Sequence, residues 1–407
     1  MGTVDIAGRA PAEAQTEARA ESAGLIDRAA LFYCLKIFVS LRLALGLLAL
    51  LSIALIQPNV GGGISQATTP GWHNILDVWH RWDAHWFIRI ATQGYGIEDG
   101  RAAFFPLYPL LIRMFMPLFL GSALAAAIFI SNVCYLAALY VVHRLTEHEF
   151  GDATARRTVL YLALFPTAFF FLAPYSESLF LFLSATSLWM ARRGNWLAAG
   201  IAALFAAATR SIGVVLVAPL MLEAILQWRS ARANGGGERN LVWSLTCSAI
   251  APFGLIFYLA YWQGAAGDWL KPFRAQDHWL REFSWPWETA AGATREAFRW
   301  IGAYPGGYHL LDWLVVLPVI AAAVWVAFKV RPTFAVYAWA SLLIPLFFVF
   351  AARPFMSVSR FAIVIWPLFW AIARFAERWR AHELVVAVSA GGLAVMTLLF
   401  ATANFVF

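Results

Sequence analysis

Val78-Trp79-His80-Arg81-Trp82-Asp83-Ala84-His85-Trp86-Phe87-Ile88-Arg89-Ile90 lies in a polar interval between hydrophobic segments and holds one carboxylate, two histidines, two arginines and three tryptophans. Its spacing predicts a helix with Trp79, Trp82, Asp83, Trp86 and Ile90 on one face. His80, Ala84 and Ile88 fall elsewhere. A carboxylate on an amphipathic surface helix normally sits on the wet face. Asp83 sits in the aromatic stripe instead, where the helix meets membrane or protein, and this marks it as a candidate for chemistry. With this stretch placed outside the bilayer, the apolar segments on either side become spans.

Composition agrees. Of 407 residues, 61% are hydrophobic, 16% aromatic and only 13% charged, with mean hydropathy +0.68. A soluble domain carries roughly a quarter charged residues, so the chain reads as an all-α polytopic integral membrane protein. Its apolar runs approach the roughly 20 residues a spanning helix needs, and the alternating segments of about ten residues typical of β-barrels are not seen. The net charge of +7 is scattered over short loops, where it signals topology and not a nucleic-acid partner. Cys34, Cys134 and Cys247 lie in or beside apolar segments without metal-type spacing and read as simple thiols.

Residues 1–30 lack an apolar core and read as a mobile cytoplasmic tail; residues 31–407 form one transmembrane domain. The first span is expected at about Phe38–Ile56, with Lys36 on its inner side and Arg42 snorkelling to water. Residues 58–103 make a first outside loop, opened by Gly61-Gly62-Gly63. In Phe104-Phe105-Pro106-Leu107-Tyr108-Pro109-Leu110, two prolines three residues apart disfavour a plain spanning helix. An interfacial or re-entrant segment is expected up to Gly121, then a span from Ala123 to Val142. Basic residues assign inside loops at Arg144–Arg157, Arg192-Arg193, Arg229–Arg239, Lys329–Arg331 and Arg374–Arg380. Two hairpins of short helices then carry outer tips at Pro174–Ser178 and Thr209-Arg210-Ser211. A second outside loop covers 264–308, and Arg353–Arg360 forms the last outer tip. About 11 crossings result.

This topology gathers Asp83, His85, Arg89, Glu177, Arg210, Arg353 and Arg360 at one leaflet. Charges near bilayer depth usually face a cavity or a partner. Each also has a plain structural reading. Glu177 and Arg210 fit an ion pair, Arg353 and Arg360 fit anchors for lipid headgroups, and Asp83 fits a cap or a partner for Arg89. His80 and His85, five apart, are poorly spaced as helical metal ligands.

The run Arg81–Tyr95, followed by Phe104–Leu110 with Tyr108, resembles the family of the second mannosyltransferase of GPI-anchor assembly and its bacterial relatives, in the GT-C superfamily of membrane glycosyltransferases. Phe165–Phe170, Ala173–Leu179, Thr209–Gly213 and Ser357–Phe361 match in order, so the resemblance covers roughly 75–370. It implies a GT-C-type helical bundle and a polyprenyl- or dolichyl-phosphate sugar donor, typically of mannose. It also implies an acidic base in the first outside loop, matched by Asp83. The acceptor (glycan, lipid or protein) stays open. The compact, Ala- and Arg-rich makeup suggests a bacterial inner membrane, with the site facing the periplasm and the N-terminus in the cytoplasm.

The expected chemistry is inverting transfer without a metal or other cofactor. Asp83 acts as base, with His85 or Glu177 orienting the acceptor. Donor phosphate is met by arginines, Arg360 with Arg353 or Arg210, and Arg89, Tyr108 and Glu177 complete the candidate binding set. Membrane lipids are partners; nucleic acid is not. One rival reading is a flippase for lipid-linked sugars, against which stands the clustering of charge on one leaflet; the other is a GT-C enzyme that moves arabinose, glucose or an aminosugar.

Overall fold

The computed structural model describes residues 27–59, 70–233, 240–303 and 306–404. Most of the expected N-terminal tail, the Gly61-Gly62-Gly63 turn and part of the Arg229–Arg239 loop lie outside them. The helices of eight residues or more are α1 Arg28–Leu55, α2 Asp83–Gln93, α3 Leu107–Phe115, α4 Ala123–Phe150, α5 Asp152–Leu164, α6 Glu177–Arg192, α7 Trp196–Thr209, α8 Val217–Ala233, α9 Leu241–Ser248, α10 Phe253–Ala266, α11 Pro286–Arg299, α12 Gly306–Lys329, α13 Pro332–Phe347, α14 Pro367–Arg378 and α15 His382–Ala401. The architecture is all-α and polytopic. α1 starts at Arg28, earlier than expected, because Asp27 accepts hydrogen bonds from the Ala29 and Ala30 amides as its N-cap.

Six helical stretches among the described residues are long and apolar enough to cross a membrane: Arg28–Leu55, Ala123–Phe150, Ser211–Ala233, Leu241–Ala266, Gly306–Lys329 and His382–Ala401. The other expected crossings fall on shorter helices. α6, with 16 residues, reaches only about 24 Å at 1.5 Å per residue, short of a hydrocarbon core of about 30 Å. α3 is separate from α4, as expected, but Pro106 and Pro109 lie at its start and not at the break. A 3-10 turn follows α3, Leu120 turns left-handed, and Ser122 caps α4.

Two sequence expectations are corrected. The tryptophan stretch is not one helix. A short helix covers Asn74–Asp77 and α2 begins only at Asp83, with Trp82 between them at φ +51°. The Arg81 side chain donates to the carbonyls of Asp77 and His80, and Tyr175 Oη donates to the Arg81 carbonyl at 2.8 Å. These local bonds and the tertiary one from Tyr175 replace the helical ladder, so Trp79 leaves the Asp83 face and packs on Phe400. Arg42 does not snorkel: its guanidinium lies 5.2 Å from the Trp79 ring centroid, a cation–π contact that the inward-packed indole offers.

The segment expected as a second outside loop, and the helix leading into it, are docked. Tyr258 Oη donates to the carbonyls of Ala102 and Phe104, and Trp279 meets Trp86 edge-on at 5.9 Å. Strands β1 (Arg281–Phe283) and β2 (Phe348–Phe350) pair antiparallel, Arg281 opposite Phe350, tying this segment to the turn that carries Arg353 and Arg360. At the basic end of the bundle, fully buried Glu223 accepts from Arg192, Gln227, Arg331 and Thr333, joining α6, α8 and α13.

Candidate active site

The site begins with a hairpin. α6 and α7 run antiparallel through a tight turn at Gly194, φ +76°. The first residue of α6, Glu177, and the C-cap of α7, Arg210, therefore lie side by side. An acid at a helix N-terminus and a base at a C-terminus each suit the helix dipole. Arg210 Nη1 sits 2.7 Å from Glu177 Oε1 and donates to Ser176 Oγ at 3.3 Å. Close packing fixes the turn after Arg210: a Cβ on Gly213 would collide with the backbone of Ala206 and Ala207.

Arg360 joins this pair to Asp83. It lies on the short helix Val358–Ala362, entered through Ser357 at φ +69°. Its Nε donates to Glu177 Oε1 and its Nη1 to Asp83 Oδ2, both at 2.5 Å. The guanidinium is stacked over Tyr175 at 4.7 Å and Phe170 at 5.0 Å, which keeps it dry and oriented. Glu177 is fully buried, whereas the Asp83 side chain is 22% exposed. Of the two acids, only Asp83 offers an oxygen to an incoming group.

The other candidates are placed elsewhere. His85 is two residues beyond Asp83, on another side of the helix, and stacks on His80 with ring centroids 3.9 Å apart. Burial pushes His80 down to about 4 and lowers His85 as well, so both rings are neutral at neutral pH. Arg89 turns to Gln93 and Asp99, not to Asp83. Tyr108 is buried and hydrogen-bonded to the Ala127 carbonyl and Ser131 Oγ. Arg353 makes a two-pronged ion pair with Asp312, at 2.6 and 3.0 Å, and stacks on Tyr308. The structure thus brings together Asp83, Glu177, Arg210 and Arg360, while His85 stacks on His80 and Arg89, Tyr108 and Arg353 make their polar contacts with other groups. Among the described residues no three His, Cys, Asp or Glu side chains cluster as metal ligands would.

Two charged residues were missed. Asp312 had a signal, a single acid inside the apolar run of α12. Arg281 had none: it lies in the loop without a motif and donates to Ser357 Oγ at 2.9 Å.

Residues 28–266, well over half of the chain, match the mannosyltransferase (PIG-V) family. The chain belongs to that family. The match includes Asp83, Glu177 and Arg210 and ends before Arg281, Asp312, Arg353 and Arg360. Relatives include GPI alpha-1,6-mannosyltransferase 2 of Rattus norvegicus, 31% identical over 199 residues, 45% of this chain and 40% of the relative. GPI mannosyltransferase 2 of Yarrowia lipolytica is 31% identical over 111 residues, 27% of this chain and 31% of its own length. The chain thus spans less than half the length of the curated relatives it matches. Among solved structures, ArnT from Cupriavidus metallidurans in the apo state is similar at TM-score 0.49 and 13% identity, covering 91% of this chain and 76% of ArnT. The Archaeoglobus fulgidus oligosaccharyltransferase in the apo form gives TM-score 0.41 and 13% identity, over 91% of this chain and 56% of that one.

Proposed function

We propose that this PIG-V family protein is an inverting glycosyltransferase that moves mannose from a polyprenyl-phosphate donor to a hydroxyl of a glycan, lipid or protein acceptor. The reaction lies on the outer side of the membrane, opposite the basic inner loops. The observation that carries the reading is the Asp83–Arg360 contact: a partly exposed carboxylate directly on a buried arginine, backed by Glu177 and Arg210.

In this reading the acceptor oxygen attacks the anomeric carbon while its proton passes to Asp83. The bond from that carbon to the phosphate oxygen breaks, and the electron pair leaves with the phosphate. A phosphodiester becomes a monoester with one more negative charge. Arg360 is suited to that charge because a guanidinium meets phosphate oxygens in pairs. Donor phosphate at Arg360 competes with Asp83 for Nη1, so donor binding releases the base for the acceptor. General-base assistance of this kind contributes typically about 10²–10⁴-fold.

The test offers purified protein polyprenyl-phosphate mannose together with glycan, lipid and peptide hydroxyl acceptors and, in parallel, the glucose, arabinose and aminosugar donors with the same acceptors. Release of polyprenyl phosphate from the mannosyl donor, with inverted product, supports the reading. Release only from another donor overturns mannose, and no release from any donor overturns the reading.

A further inference from the structure

The segment around 264–308 carries no motif and lies beyond the family match, yet it delivers one arginine to the site. β1 pairs with β2 so that Arg281 stands opposite Phe350, and β2 leads straight into the tip that carries Arg360. From there the Arg281 guanidinium reaches across, donating to Ser357 Oγ at 2.9 Å and to the Met356 carbonyl at 3.5 Å. Ser357 is the left-handed residue that starts the Arg360 turn. Among described residues no carboxylate is within ion-pairing distance of Arg281. Burial lowers its pKa, and the charges it feels are those of Asp83 and Arg360.

The charge balance is the argument. Glu177 holds Arg210 and Arg360, and Asp83 holds Arg360 from the other side. With Arg281 added, three guanidiniums face two carboxylates. A half-buried cation lacking an acid is unfavourable in this setting, and an incoming anion would relieve it. When the leaving phosphate becomes a monoester, a second guanidinium beside Arg360 is placed to share the new charge.

We propose that Arg281 is a binding residue for the phosphate monoester of the lipid carrier, contributed by the second outside segment to the Asp83–Arg360 site. This rests on the donor class proposed above. The alternative for Arg281 is a strut that only holds Ser357.

Binding of undecaprenyl monophosphate to the full-length protein in nanodiscs, followed by tryptophan fluorescence, separates these. Arg281→Gln keeps an amide donor for Ser357 and removes the charge, while Arg281→Lys keeps the charge. The expected result is affinity lowered about tenfold or more by Arg281→Gln, the scale of a charge-assisted hydrogen bond, and largely restored by Arg281→Lys. Arg274→Ala, an exposed arginine of the same segment paired with Asp268, should leave affinity unchanged. Wild-type affinity in Arg281→Gln overturns the assignment, as does equal loss in both Arg281 variants. Binding absent from the wild-type protein overturns the donor class itself, and the assignment with it.

Discussion

Arg353 and Arg360 look alike in sequence: both sit in the last outer tip and both were expected at phosphate. Their partners separate them. Arg360 bridges two acids from distant segments, while Arg353 is occupied by Asp312. Arg353→Ala would leave Asp312 buried and uncompensated, a loss of about 3–5 kcal/mol. Thermal unfolding should show it, a second change Asp312→Ala should recover much of it, and donor affinity in the folded fraction should stay near wild type. A specific fall in donor affinity would return Arg353 to the phosphate site. Protonation gives a second expectation. His80 is held down to about 4 by burial, so protonation favours the unfolded chain, where the value is about 6.5. Its contribution is complete above about 6.5 and lost as pH falls toward about 4. The melting temperature should therefore fall over that window, and fall less in His80→Gln. Equal slopes would remove His80 from the explanation.

Among the elements, the α6–α7 hairpin was largely legible. Basic residues fixed its inner turn, and the outer tips followed, so Glu177 and Arg210 were expected on one level. Their contact needs more than topology. Gly213 lets the chain after Arg210 fold back against Ala206 and Ala207. Gly213→Ala should cost about 1–3 kcal/mol as an overpacked contact, seen as a lower melting temperature, and should weaken donor binding by moving Arg210. An unchanged melting temperature would show that the turn relaxes freely. The tryptophan stretch was legible in composition and misread in shape. Periodicity assumes an uninterrupted ladder, but Tyr175, 94 residues away from Arg81, and the Arg81 side chain set the break at Trp82. The pairing of β1 with β2 was beyond the sequence because two three-residue strands carry almost no periodic signal.

At the scale of the whole molecule, two buried acid clusters lie towards opposite ends of the bundle. Glu223 gathers Arg192, Arg331 and Thr333 beside the basic loops. Its partners leave it closed, which suits a role in holding helices together. The Asp83 cluster draws its residues from four separate stretches and keeps one acid exposed. Membrane character and the family were readable from composition, apolar runs and motifs. The Glu177–Arg210 pair was also anticipated, but the bridge from Arg360 to Asp83 and Glu177 was not, because it joins chain segments as much as 277 residues apart.

The central claim is that Asp83 accepts the acceptor proton beside Arg360. Asp83→Asn keeps the shape and removes the basic oxygen. The account expects sugar transfer from the polyprenyl-phosphate donor to fall by about 10²-fold or more, while protein level is kept and donor binding is kept or tightened. Near-normal turnover in folded Asp83→Asn would contradict it.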